Sequence, residues 1–210
     1  PAGHSTPMTC GGAAVLLASE AWARERNLPV LAYVSYGKVA AVDYVDKKEG
    51  LLMAPAYAVP RMLDDAHLEL EDFDFYEIHE AFAGQVLCTL KAWADPAFCR
   101  DKLKLPGPLG SIDRAKLNVK GGSLAISHPF AATGTGMVAT HAKILEEAQA
   151  RRGVIRAGAA RGMGCTRGGG SRRRRRGRVK RADGAENEGK EKRDNLPERK
   201  RTRRGGGRGC

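Results

Sequence analysis

The chain has 210 residues, of which 36 are Lys or Arg and 24 are Asp or Glu. This length suffices for one packed domain with a tail and is too short for two ordinary domains. The excess positive charge is confined to residues 165–210, which hold 18 basic and 6 acidic residues. Five cysteines without a CxxC spacing argue against a zinc cluster or a disulfide framework. No apolar run in the sequence reaches the length of a membrane span.

The first part of the chain predicts alternating strands and helices. An apolar run bounded by glycine, residues 13–18, predicts a buried strand. Ser19 is placed to cap a helix that follows it. Residues 31–45 are rich in Val, Tyr and Ala and predict a second strand, and a short helix is expected over 61–66. Alternating apolar and acidic residues at 73–78 predict a third strand.

The alternation continues in the second part of the chain. A helix is expected over 79–93, followed by a Pro/Gly-rich excursion at 95–117. A short strand at 121–126 leads through a loop into a strong helix over 134–151, and residues 153–160 predict the next strand. Strands alternating with helices predict an α/β layered domain.

Two histidines stand where such a fold presents side chains to a cleft. His128 lies in a turn before Pro129, between a predicted strand and a helix. Since imidazole exchanges a proton near neutral pH, His128 is a candidate general base for a thiol or hydroxyl nucleophile. The alternative is a loop histidine with only local hydrogen bonds. His79 lies at a strand-to-helix junction, where a donor can stabilise developing negative charge, or it is simply a helix-entry residue.

The segments around these histidines resemble the motifs of thiolases. Residues 118–130 resemble the family signature N-x-x-G-G-x-x-x-x-G-H-P, and residues 79–83 resemble its N-E-A-F motif. The H-E-A-F form found here matches the beta subunits of the fatty-acid-oxidation trifunctional enzyme. Residues 5–13 resemble the family's S-x-L-T-D-G-A-A entry into the C-terminal half, and residues 46–57 match a further beta-subunit pattern. The resemblance covers residues 3–164.

The resemblance implies an α/β thiolase-type C-terminal domain with a mixed five-stranded sheet and helices on both faces. After Gly164 the family continues into an apolar strand, whereas this sequence turns into Thr166-Arg167-Gly168 and polyarginine. We therefore expect the last strand to be missing and the incomplete domain to span residues 1–164. The Arg/Gly-rich tail, residues 165–210, is expected to be disordered, because it cannot bury enough apolar area to offset the entropy of ordering.

The resemblance also implies an activity: acyl transfer to coenzyme A, as in the 3-ketoacyl-CoA thiolases (acetyl-CoA C-acyltransferases) of fatty-acid β-oxidation. Coenzyme A is a substrate there, and neither a further cofactor nor a metal is expected. His128 is the expected catalytic residue that activates the family's nucleophilic cysteine, and His79 is expected to contribute to the oxyanion hole. The substrate-binding residues are expected to be Phe82, Ala81, Gly122 and Ser123.

The sequence departs from the family pattern at three places. The nucleophilic cysteine belongs to the family's N-terminal half, so we expect this chain to be a fragment that is inactive alone. Gly158 occupies the position of the family's second catalytic cysteine, and Arg161 occupies a glycine position. Ser127 and Ala131 replace glycines beside the signature histidine, and Cys10 replaces an aspartate.

Partners and location follow from the resemblance alone. The expected partners are acyl-CoA or CoA, a second thiolase copy and the alpha subunit of the trifunctional enzyme. The expected location is the mitochondrion, although the sequence shows no targeting peptide or transmembrane segment. An alternative from another class is a non-catalytic thiolase-derived protein whose tail binds nucleic acid or anionic surfaces. Residues 172–176 and 199–204 would bind phosphates electrostatically, while the tail offers no aromatic residue for base stacking.

Overall fold

A mixed four-stranded sheet lies at the centre of the computed structural model, which describes residues 1–47, 49–159 and 163–170. The strand order is β1-β4-β3-β2. Strands β2 and β3 are parallel, and β4 runs antiparallel to both of its neighbours. The strand bounds are β1 Tyr33–Ala41, β2 Phe75–Ile78, β3 Gly153–Ala159 and β4 Met163–Gly170.

Strand β4 corrects the expectation that the last strand is missing. It pairs with β3 along one side and with β1 along the other, so the fold continues through Gly170 rather than ending at Gly164. The physical reason is that backbone N–H and C=O groups pair whatever the side chain. A strand with a partner on each side therefore forms even without the apolar side chains of its family counterpart. The sheet has four strands within the described residues, so the expected fifth strand stays a prediction. The tail beyond Gly170 lies outside the described residues.

The helices differ in length and number from those predicted. Three segments are longer than ten residues: α2, α3 and α6. The helices are α1 Glu20–Glu25, α2 Ala54–Ala66, α3 Ala83–Ala94, α4 Pro96–Phe98, α5 Ser123–Ile126 and α6 Ala131–Glu147. Short 3-10 turns occur at Ala2–His4, Leu70–Asp72 and Arg114–Lys116, and a π-helical turn at Cys99–Leu103. None of the helices in the described part of the chain combines the length and apolarity that crossing a bilayer requires.

Helices cover both faces of the sheet, as expected. On one face, Val154 of β3 belongs to an apolar cluster with Val59 and Met62 of α2. On the other face, Gly153 lies against α6, where a Cβ on this glycine would overlap the ring of His141. Since successive side chains of a strand point to opposite faces, β3 is the middle layer between α2 and α6.

Two predicted strands are not strands in the structure. Residues 13–18 form no regular element, and Leu16 is 74% exposed. An apolar run signals burial but does not specify a partner strand, and this run has none among the described residues. The predicted strand at 121–126 is the short helix α5, which follows Gly121 at φ +84°. A positive φ breaks an extended strand and is readily adopted by glycine.

His141 of α6 is buried in an environment that offers it no hydrogen bond. The ring is 2% exposed, and neither ring nitrogen has a partner among the described residues. Burial lowers the pKa of His141 to about 4. A buried polar ring without partners destabilises the fold, because it loses its bonds to water and gains nothing in return.

We predict that His141→Leu stabilises the chain more at pH 4.5 than at pH 7. In the unfolded chain the ring takes up a proton below about pH 6.5, whereas the folded ring does so only near pH 4. The unfolded state thus binds more protons in this interval, and acidification to pH 4.5 costs the parent about 2 kcal/mol at this ring. Chemical denaturation at both pH values measures the difference.

The matched control for His141 is the exposed His4. His4→Leu removes a histidine from an exposed position and leaves the buried ring of His141 in place. A gain for His141→Leu that is the same at both pH values would contradict the burial argument.

Candidate active site

His79 lies at the end of β2, where the strand enters the loop before α3. Its backbone N–H donates to the carbonyl of Arg156 at 2.9 Å and extends the β2–β3 pairing by one residue. Its side chain is buried, with Nδ1 2.7 Å from Oγ of Ser123. That oxygen already accepts the backbone N–H of Glu80 at 3.0 Å. Donation of the Ser123 proton to Nδ1 completes the network and leaves the His79 proton on Nε2.

The electrostatic environment keeps the His79 ring neutral. Burial is the largest cause, and the nearby His128 and Arg156 act in the same direction, lowering the pKa of His79 to about 4. A neutral imidazole whose Nδ1 accepts a hydrogen bond presents Nε2–H as a donor. His79 can therefore donate to an oxygen without carrying a positive charge.

His128 lies beside His79, in the loop between α5 and α6. The two ring centroids are 4.5 Å apart, with planes inclined at 46°. The loop is held by the backbone N–H of His128, which donates to the carbonyl of Pro7 at 2.9 Å. Nδ1 of His128 lies 2.7 Å from Oγ1 of Thr133 in the first turn of α6. Nδ1 is thus engaged in both rings, and no described residue hydrogen-bonds to either Nε2.

A carboxylate–amide network fixes the two motifs against each other. Asn118 Nδ2 donates to Glu80 Oε1 at 2.7 Å, and the backbone N–H of Leu124 donates to Glu80 Oε2 at 3.1 Å. Asn118 Oδ1 accepts the backbone N–H of Ile78 at 2.8 Å. A Cβ on Gly122 would overlap the Glu80 carboxylate, so glycine is required for this approach. Sequence reasoning assigned no function to Glu80 or Asn118, although both lie in the quoted motifs.

The N-terminal segment joins the same two motifs from the other side. The backbone N–H of Thr6 donates to the carbonyl of Ala81 at 3.0 Å, and its Oγ1 donates to the carbonyl of Ser123 at 2.7 Å. Further along, Thr9 Oγ1 lies 2.7 Å from Ser127 Oγ. The segment that the resemblance marked only as an entry into the domain therefore positions the site.

A cavity of about 220 Å³ is lined by His79 but not by His128. Its wall includes His79, Gly122 and Ser123 from the predicted site, together with residues 11–13 and α6. Two predicted substrate residues, Ala81 and Phe82, do not line it, and the Phe82 side chain is 52% exposed. The predicted position of the second cysteine, Gly158, is paired with Gly164 in the β3–β4 ladder.

Ser127 adopts a backbone conformation that favours glycine. Its φ is +109° and its ψ is 179°, a region that costs a residue with a Cβ about 1–3 kcal/mol. The family has glycine here, so the substitution noted in the sequence introduces strain beside His128. Ala131, the other replaced glycine, is the first residue of α6 and does not have a positive φ.

We predict that Ser127→Gly stabilises the chain by about 1 kcal/mol. The substitution relieves the strain of a positive φ. It also removes the exposed hydrogen bond between Ser127 and Thr9 and increases the entropy of the unfolded chain, and we expect the relief of strain to exceed these two losses. Ala131→Gly is the matched control and is expected to destabilise, because glycine weakens a helix. Thermal or urea unfolding of the two variants measures the signs, and equal signs would contradict the strain assignment.

Comparisons with known proteins identify the family of the chain. The family model of the thiolase C-terminal domain matches residues 28–167. A probable 3-ketoacyl-CoA thiolase of Caenorhabditis elegans is 42% identical over 164 residues, covering 78% of this chain and 36% of the relative. The 3-ketoacyl-CoA thiolase of a Shewanella strain is 40% identical over 163 residues, covering 78% and 37%.

Solved structures give the same result. Human mitochondrial 3-ketoacyl-CoA thiolase superposes with a TM-score of 0.57 at 28% identity, covering 73% of this chain and 34% of that one. The acetyl-CoA acetyltransferase of Bacillus anthracis gives 0.56 at 30% identity, covering 72% and 33%. The chain spans a little over a third of the length of the curated relatives it matches. By its motifs, fold and relatives, the chain belongs to the thiolase family and corresponds to its C-terminal domain.

Proposed function

We propose that this chain supplies the C-terminal half of the active site of a 3-ketoacyl-CoA thiolase, which transfers an acyl group to coenzyme A in fatty-acid β-oxidation. The observation that carries the proposal is the pair of imidazole rings 4.5 Å apart. In each ring Nδ1 is engaged by a hydroxyl, and Nε2 is left for a ligand.

His79 acts as the hydrogen-bond donor to the substrate oxygen. When a thiolate attacks a carbonyl carbon, negative charge develops on the carbonyl oxygen, and a positioned N–H stabilises that charge. The neutral His79 ring presents Nε2–H, and Ser123 holds its orientation from behind. Because the donor is fixed before the reaction, little reorganisation is needed when the charge appears.

His128 acts as the general base. Its Nε2 accepts the proton of the nucleophilic cysteine, which in the family comes from the N-terminal half, and Thr133 orients the ring from Nδ1. The thiolate then forms a bond to the keto carbon of the substrate, and the bond from that carbon to the α-carbon breaks. The departing acetyl-CoA carbanion takes a proton, and a second CoA thiol removes the acyl group from the enzyme.

Protonation of the departing carbanion is the step for which this chain lacks the catalytic group of the family. In the family the second catalytic cysteine supplies the proton, and here that position is Gly158. We therefore propose that the isolated chain does not turn over. With an N-terminal half, it is acylated by acetyl-CoA, with CoA as the leaving thiol, faster than it cleaves the carbon–carbon bond of a 3-ketoacyl-CoA.

A chimera tests the proposal. Residues 1–170 replace the matched C-terminal region of the Caenorhabditis elegans relative, which keeps its own N-terminal part. With acetyl-CoA, intact-protein mass spectrometry should detect one acetyl group per chimera chain, and none on the 210-residue chain alone. A folded chimera that stays unacylated, while the unmodified relative is acylated, would overturn the proposal.

The narrower expectations remain predictions. A mitochondrial location, pairing with a second copy and association with a trifunctional alpha subunit follow only from the resemblance. Binding of nucleic acid by the basic tail is a second candidate function, favoured by the confinement of the excess charge to residues 165–210. Most of that segment lies outside the described residues.

A further inference from the structure

Glu77 is a buried carboxyl group on the same face of β2 as His79. The two residues are separated by one position, so their side chains project to the same side of the strand. Both are almost fully buried, at 4% and 7% exposure. Both also line the cavity of about 220 Å³, which is large enough for several water molecules.

The Glu77 carboxyl is not satisfied by its surroundings. Oε1 has no hydrogen-bond partner among the described residues. An unpaired buried carboxylate is costly, so such a group holds its proton to higher pH or binds water. Burial, assisted by the charge of Glu80, raises the pKa of Glu77 to about 7. Glu77 is therefore a titrating group within the cavity.

Among the described residues that line the cavity, His79 is the only titratable side chain besides Glu77. Strand β3 places Ile155 opposite Glu77, whereas Arg156 is paired with Ile78 and lies on the other face. The cavity wall from α6 includes Met137 and Thr140, neither of which titrates near neutral pH. The adjacent α6 residue, His141, faces Gly153. Residues 11–13 are Gly-Gly-Ala, and His128, whose ring lies 4.5 Å from that of His79, does not line the cavity.

We propose that Glu77 is a positioning residue of the histidine site, linked to His79 through water in their shared cavity, so that the ionisation of Glu77 controls the availability of the His79 donor. While the carboxyl is protonated, His79 Nε2–H is free to donate to a ligand oxygen. When it ionises, its negative charge orients a bridging water to accept the His79 Nε2–H, so that this water competes with the ligand oxygen for the donor. The titration itself is independent of the proposed acyl transfer, although its catalytic meaning rests on that function.

Nuclear magnetic resonance of the 210-residue chain tests the linkage without any substrate. Long-range proton–nitrogen spectra record both ring nitrogens of His79 between pH 5.5 and 8.5, in a His128→Gln background that removes the other ring. We expect an inflection at about pH 7 in the His79 signals. Adding Glu77→Gln should abolish it, whereas Glu146→Gln, an exposed carboxyl on α6, should leave it unchanged.

Two outcomes would overturn the proposal: no inflection at His79, or an inflection that survives Glu77→Gln. Should Glu77→Gln fail to fold, carbon-13 detection of the Glu77 carboxyl in the parent chain gives the titration directly, and its midpoint must coincide with the His79 inflection. Failure of this linkage would leave acylation of the chimera unaffected. An unacylated chimera with an intact linkage would instead reject the acyl-transfer function alone.

Discussion

His79→Leu is expected to slow acylation of the chimera about 10²–10³-fold, the usual effect of removing one oxyanion-hole donor. Leucine fills a similar volume and removes the Nε2–H that we assign to the substrate oxygen. The assignment rests on the 2.7 Å contact between His79 Nδ1 and Ser123, which turns the other nitrogen toward the ligand. Single-turnover acylation with acetyl-CoA, followed by quenching and mass spectrometry, measures the rate.

The conservative variant separates donation from packing. His79→Asn converts the H-E-A-F motif into the N-E-A-F form and retains an N–H donor, so acylation should stay within about tenfold of the parent chimera. His67→Leu, at the exposed end of α2, is the control for loss of a histidine. An Asn variant as slow as the Leu variant would show that His79 acts through shape rather than through a hydrogen bond.

Gly158→Cys is expected to raise the rate of carbon–carbon bond cleavage by the chimera about 10²–10³-fold. A positioned acid or base contributes about 10²–10⁴-fold to a proton transfer, and this is the group that we propose the chain lacks. The position lies near the end of β3, two residues beyond Arg156, whose carbonyl accepts the His79 N–H.

Gly158→Ala is the matched control, since it adds a Cβ at the same place without a thiol. Release of acetyl-CoA from a 3-ketoacyl-CoA is followed for both variants. Acylation by acetyl-CoA should change much less than cleavage, because it requires no carbanion. Equal rates of cleavage for the Cys and Ala variants would contradict the assignment of this position to the missing acid.

Much of the site could be predicted from sequence because its residues lie in short motifs with a fixed order. The sequence predicts a donor role for His79 and a base role for His128. The structure brings the two rings together, and the roles themselves stay predictions. The sequence could not show that Ser123 and Thr133 each engage an Nδ1, because such contacts depend on how separate loops pack. Glu77 was missed for a different reason: within a strand pattern an acidic residue usually marks the solvent face.

Local sequence patterns did not predict the helix ends or strand β4 correctly. Helices α3 and α6 were predicted with shifted ends, as capping signals are weak when the cap makes no side-chain hydrogen bond. Strand β4 was judged from its own composition and therefore missed. Its formation depends instead on β1 and β3, whose backbone N–H and C=O groups pair with those of β4 on either side. The composition of a segment describes only its side chains. Whether the segment forms a strand also depends on whether neighbouring strands can hydrogen-bond to its backbone.

The position of β4 has a consequence for how the domain comes apart. In the described part of the chain, β1 is hydrogen-bonded to the sheet only through β4. Half of the residues in β4 are glycine, which resists confinement to a strand. This glycine-rich strand is also the link between the outermost strand and the β2–β3 pair that precedes His79. Opening of that link would leave β1 without a hydrogen-bonded neighbour in the sheet and would expose the edge of β3.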